Sequence, residues 1–238
     1  MTGARLLRIL ERVFNAPGAS ATERLCVVGA EATATTGAGI MLLANGLPGG
    51  SVYTTDDVSA RLEELQFTSG EGPCVDAFDQ HRPVDEPDLL ARAAIRWPAF
   101  TQPAIDAGAR AVFGFPVAIG SANLGALNLY RDEVGPLTFD QHADALVVAD
   151  LVARSVLSMQ AGAPPGQLGA DLTADFNFRF VVHQASGMVA VQLGVTVTDA
   201  LVLLRAHAFS HDQMITDVGQ AVVEGRVRLG PPIDLPGA

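Results

Sequence analysis

The sequence predicts an α+β domain with a central antiparallel sheet and flanking helices, followed by an all-α three-helix domain. Three observations carry that expectation. Apolar runs pair off around turn residues, GAGIMLLAN with SVYTTDD and ARAVFGFPVAI with NLGALNLYR, which is the pattern of antiparallel hairpins. The segment 160–171, QAGAPPGQLGAD, is rich in Gly, Pro and Ala and has no apolar period, so it reads as a linker. Beyond it, apolar residues recur at helical spacing in three successive bands.

The elements follow in order. Leu6, Leu7, Leu10, Val13 and Phe14 alternate with Arg5, Arg8, Glu11 and Arg12 at helical spacing, so residues 1–18 open with an amphipathic helix broken by NAPGAS. A helix over 22–33 leads into the first hairpin, whose turn is expected at GLPGG. A short helix near 58–65 follows, and Pro73 suits the first position of the next. RPVDEPDL looks like a short strand and its exit. A helix holding Trp97 and Ile105 precedes the second hairpin, turned by GSA. Thr138 caps a long helix bearing Phe139, Leu146, Val147, Leu151, Val152, Val156 and Leu157, which closes a domain over 19–159. That helix carries more apolar surface than one packing face needs, which predicts a homodimer.

After the linker, an output domain over 172–229 begins with a band through Phe178, Val181, Val182, Ala185, Met188, Val189 and Leu193, stopped by Gly194. Thr196 with Asp199 three residues on reads as a helix-starting cap. Met214, Ile215, Val218, Val222 and Val223 mark the third helix, and 230–238 is expected to be a flexible tail.

At 238 residues and 49% hydrophobic, the chain is large enough for one or two cores. Its net charge of -11 discourages unspecific contact with nucleic acid or anionic membrane. All 15 basic residues are arginine, and in the last domain Arg179, Arg205, Arg226 and Arg228 face six acids. Any RNA contact must therefore be local. Cys26 and Cys74 suggest neither a disulfide framework nor a zinc site. The N-terminus does not read as a signal peptide, and no run approaches the roughly 18 apolar residues of a membrane span. The expectation is a cytoplasmic protein with no membrane contact.

No catalytic constellation emerges, so the chain is not expected to be an enzyme, and no cofactor or metal is implied. Cys74, at an expected helix start, would favour a thiolate, but a small buried filler is the stronger reading. The five histidines are scattered, and SGEGP lacks the lysine and context of a phosphate-binding loop.

The run HQASGMVAVQLGVTVTDALVLLRAHA, with ITDVGQAVV after it, resembles the ANTAR domain, a family of RNA-binding modules of bacterial transcription antiterminators. GAGIMLLAN, SGEGPCVDAF, RPVDEPDL and GALNLY resemble a GAF domain of the kind fused to ANTAR in actinobacteria. The pair implies a signal-responsive antiterminator in which a GAF-like sensory or dimerisation domain controls a dimeric ANTAR-like unit that holds mRNA leader hairpins. Ser186 stands where the family commonly has lysine, Leu201 replaces an aromatic and Gly219 an alanine. On a helical wheel Arg179, His183, Ser186 and Ala190 share the face opposite the apolar band. That face, with Gln184 and Arg205, is the expected RNA surface. Its bland reading is an ordinary solvated face. GAF domains bind small molecules in some proteins, and Met41, Tyr53, Phe113 and Phe115 are the pocket candidates, with core packing as their alternative role. The rival to the RNA reading is a signalling adaptor or dimeric protein-interaction module with a degenerate ANTAR domain.

Overall fold

The computed structural model describes residues 2–44, 47–161, 180–211 and 213–230. Arg179, most of the segment expected as a linker and nearly all of the tail lie outside them. The chain divides into two compact units, the first within residues 1–176 and the second from Asn177 onward together with Phe67–Gly70.

The first unit is built on a five-stranded antiparallel sheet of order β2-β1-β5-β4-β3. Its strands are β1 (Gly37–Ala44), β2 (Leu47–Thr54), β3 (Val84–Glu86), β4 (Ala111–Ile119) and β5 (Ala122–Arg131). Strand alternation sends Ala38, Ile40, Phe113, Phe115, Val117, Leu127 and Leu129 to one face. There they meet α1 (Thr2–Asn15), α2 (Ala21–Thr33) and the long α6 (Phe139–Gln160). The opposite face meets α3 (Asp57–Ser69), α4 (Pro73–Gln80) and α5 (Pro98–Asp106), through Leu62, Leu65, Ala77, Phe100, Ala104 and Tyr130. Two helical layers on one sheet bury both of its faces.

Local signals explain most boundaries. Thr138 and Gln141 form a capping box at the start of α6, and Ser20 caps α2. Pro73 opens α4, as its fixed φ favours. Two expectations are corrected. The Leu-Pro-Gly-Gly expected as a turn lies in β2, whose pairing with β1 carries register shifts. β2 is an edge strand and its register is irregular beside Pro48, the setting in which a sheet tolerates proline. Trp97 is the N-cap of α5 rather than part of a helix, after a π-helical turn at Leu89–Ala93. Its ring carries the guanidinium of the preceding Arg96 4.5 Å above it, and its indole donates to Asp76 on α4, a tie from outside its own segment that periodicity does not report.

The second unit contains α7 (Phe180–Leu193), α8 (Val197–Ser210) and α9 (Ile215–Val223). Gly194, at φ +68°, ends α7 in the left-handed region. Thr196 and Asp199 then make a reciprocal capping box on α8. Among the described residues no single helix is long and apolar enough to cross a membrane; α7 and α8 reach that hydropathy only together, and they meet at 106°.

Candidate functional site

In the helical unit the buried side of α7 is made of small residues. Val182, Ala185, Ser186, Val189 and Ala190 face inward, whereas Phe180, Met188 and Val191 are exposed, the last at 87%. The cause is close helix approach. A Cβ on Gly219 of α9 would lie 3.3 Å from Val182 Cα, so only small side chains fit near that crossing. This corrects the polar face expected from the wheel. Ser186 is 1% exposed and donates its hydroxyl to the Val182 carbonyl at 2.8 Å, and Ala190 is buried beside it. His183 is half-buried, Gln184 is exposed, and Arg205 is half-buried with burial lowering its pKa. Ser186→Lys is therefore expected to destabilise the helical unit by about 3 kcal/mol, the cost of placing an unpaired ammonium in a packed interior. Urea unfolding of the full chain measures it; an unchanged transition would put position 186 at the surface.

The exposed side of α7 forms one wall of an open groove of about 630 Å³. Gln184, Gly187, Met188, Val191 and Gln192 line it from α7. Val222, Gly225, Val227 and Arg228 form the other wall. The second wall is held by the backbone turn at Gly225, φ +74°, and by Gln192 Nε2 donating to the Leu229 carbonyl at 2.8 Å. Arg226 is paired with Glu224, while Arg228 makes no ion pair among the described residues. The groove thus combines an apolar floor with the Gln184 carboxamide and the Arg228 guanidinium, neither of which has a partner among the described residues.

A second cluster lies in the first unit, on the sheet face toward α3 and α4. Asn128 on β5 pairs with Gly39 of β1 and Gly114 of β4. The missing side chains are replaced from the helices, by the Glu63 carboxylate over Gly39 and the Pro73-Cys74 backbone over Gly114. Gln66 Oε1 accepts from the Cys74 amide at 2.7 Å. Gln66 Nε2 and Asn128 Oδ1 are buried without a hydrogen-bond partner among the described residues, each a cost of about 1–3 kcal/mol unless something satisfies it. One step along the sheet, Asp56 accepts from Tyr130 Oη at 3.1 Å and from the Ser59 amide at 2.8 Å, capping α3 against β5. Burial and Asp56 raise the Tyr130 pKa well above its usual value.

No protein-family model and no curated protein matches this chain. Solved structures do. The GAF domain of a phosphoenolpyruvate-protein phosphotransferase from Coxiella burnetii aligns with a TM-score of 0.50 at 18% identity, covering 67% of this chain and 95% of that one. The GAF domain of an Acinetobacter phosphoenolpyruvate-protein phosphotransferase gives 0.51 at 14%, covering 69% and 98%. The first unit has the GAF fold. The sheet and its two helical layers carry the likeness, which at these identities concerns fold alone.

The GAF unit separates the four pocket candidates. Ile40, Leu127 and Phe115 form one row across β1, β5 and β4, and Met41, Ala126 and Pro116 the next. Met41 therefore shares the face of Asn128, whereas Tyr53, Phe113 and Phe115 pack in the opposite layer, and they cannot line one pocket. Gln66 and Asn128 were not legible as site residues, because a lone amide in a strand or helix carries no periodic signal. Cys74 is fully buried, and desolvation, then Glu63, pushes its thiol well above the usual range. A thiolate at neutral pH is thus disfavoured, despite the position at a helix start.

Proposed function

We propose that this chain is a signal-responsive regulator of transcription antitermination, in which the GAF unit governs an ANTAR-like helical unit that binds hairpin RNA as a homodimer. Its action is binding rather than catalysis. The groove beside α7 is the observation that carries this reading. An unstacked loop base can lie on Met188 and Val191, meet the Gln184 carboxamide along its edge and leave a phosphate near Arg228. Recognition of this kind suits a unit whose other described arginines, Arg205 and Arg226, are half-buried or paired, because stacking and base-edge hydrogen bonds replace phosphate contacts.

Pairing draws on the GAF unit. On α1, Ile9 and Val13 face the core while Leu7, Leu10 and Phe14 are exposed, Phe14 at 87%. Leu146 and Leu157 are similarly exposed on α6. Two amphipathic helices with unspent apolar faces favour a two-fold pair. The signal is a small polar ligand able to donate to Asn128 Oδ1 and accept from Gln66 Nε2. A second reading, a protein-binding adaptor, is favoured by exposed Phe180 at the start of the same helix face.

Titration of the full-length protein with a two-hairpin RNA at increasing salt separates the two readings. RNA recognition through the groove gives a shallow dependence, with a log-log slope of about -1.4 for one loop phosphate per subunit. Gln184→Ala should weaken binding by about tenfold, the value of one or two hydrogen bonds. No measurable RNA binding by a folded wild-type protein would leave the adaptor reading.

A further inference from the structure

The groove beside α7 sets a cation against an apolar floor, and Arg228 has no carboxylate among the described residues, since Glu224 is taken by Arg226. Val191 is 87% exposed and Met188 42%, so two large apolar side chains stand open next to that guanidinium. The described chain ends beside this surface. Leu229 is buried, and its carbonyl accepts from Gln192 Nε2 at 2.8 Å near the end of α7. A Cβ at Gly230 would meet nothing within 4 Å, which leaves room for the backbone to turn back along the helix. The sequence continues Pro231-Pro232-Ile233-Asp234-Leu235-Pro236, and Asp234 is the one charged side chain from Pro231 to Ala238. Branched apolar residues flank its carboxylate on both sides, the complement of a cation on an apolar floor. The lengths also agree. From Gln192 to Gln184 a helix rises about 12 Å, and five residues in the extended conformation that proline favours span about 15 Å.

We propose that residues 231–236 are an intrachain occupant of this groove, with Ile233 and Leu235 on Met188 and Val191 and the Asp234 carboxylate on Arg228, and that they compete there with the RNA loop. The competition rests on the reading of the groove as the RNA site; the docking does not. The segment offers the chemistry ascribed to the loop, an apolar surface beside a negative group, so one excludes the other. Its three prolines reduce the conformational entropy lost on docking. Tethering at Leu229 supplies a local concentration on the order of 1 mM, so a docking constant of about 0.3 mM would keep about three quarters of the molecules closed and lower the apparent RNA affinity about fourfold. The groove is thereby reserved for an RNA that binds it well enough to displace the segment.

The test is the double variant Ile233→Ser/Leu235→Ser in the full-length protein, which removes the apolar anchors, leaves the charge unchanged and touches none of the described helices. The Met188 methyl resonance, assigned through Met188→Leu, reports occupancy of the groove without RNA. It should shift in the double variant, while that of Met41, buried in the sheet, should not. A synthetic peptide of residues 231–237 at millimolar concentration should return the Met188 resonance of the variant toward its wild-type position. Affinity for a two-hairpin RNA should rise about fourfold in the variant, and the peptide should reverse the gain. A shifted Met188 resonance with no RNA binding by either protein would support the docking and remove the RNA reading of the groove. An unchanged Met188 resonance, or a measurable RNA affinity that is equal in wild type and variant, overturns the proposal.

Discussion

Gly114→Ala is expected to cost the GAF unit about 3 kcal/mol, at the upper end of overpacking effects. Gly114 pairs with Val84 on one side and Asn128 on the other, so β4 cannot shift there without disturbing two ladders. An added Cβ would overlap the Pro73 carbonyl oxygen, and it would lie 2.6 Å from the carbonyl carbon and 2.9 Å from the Cys74 nitrogen. These are backbone atoms of the first turn of α4, which no rotamer change can withdraw. The helix must move outward, breaking the bond from the Cys74 amide to Gln66 and opening the polar cluster beneath it. A thermal midpoint lowered by roughly 10 °C follows for a unit of this size. Gly3→Ala is the control, because nothing lies within 4 Å of its added Cβ. Calorimetry of both variants tests the packing, and a Gly114→Ala midpoint equal to wild type would refute the close approach of α4 to β4.

Asp144→Ala is expected to release α1 from the GAF unit. Asp144 on α6 is 3% exposed and accepts from Arg5 Nη1 at 2.5 Å and from Arg8 Nη2 at 2.6 and 2.8 Å. Arg5 also binds the Asp140 carboxylate and carbonyl. Breaking a buried ion pair typically costs 3–5 kcal/mol, and because the half-exposed Arg8 can turn to water the expected loss is about 3 kcal/mol. The apolar anchor that remains, Ile9 with the half-buried Val13, is small. Hydrogen exchange should therefore find residues 2–15 deprotected while the β4 and β5 amides stay slow. Asp144→Asn, which keeps the shape and loses the charge, should fall between wild type and alanine. If α1 remains as protected as the sheet in Asp144→Ala, packing rather than the carboxylate holds it. The same variant bears on pairing, since Leu7, Leu10 and Phe14 are presented only while α1 is docked.

Much of the candidate site was invisible to periodicity for identifiable reasons. A helical wheel of α7 ranks residues by apolarity and places Met188 inside and Ser186 outside. The helix crossing at Gly219 ranks them by size instead, so Ser186 and Ala190 are buried and Met188 lines a groove. Gln184 was legible as an exposed amide, but Val227 and Arg228, which complete the groove, come from a segment with no repeat. Tyr53, Phe113 and Phe115 are legible as large apolar strand residues, yet parity along a strand states only which residues share a face. It does not state which layer that face meets.

The sequence by itself determined the elements whose causes lie within a few residues: the capping boxes at Thr138 and Thr196, the helix start at Pro73, the stop at Gly194 and the two antiparallel hairpins. Each rests on a hydrogen bond or a backbone angle that neighbouring residues satisfy alone. Only the tertiary structure decided that β1 pairs with β5. It also decided that glycines flanking Asn128 admit a carboxylate and a helix end, and that α7 turns its small residues inward. The physical reason is approach distance. How near two elements come depends on volume at both surfaces, and a linear pattern of hydrophobicity records one surface at a time.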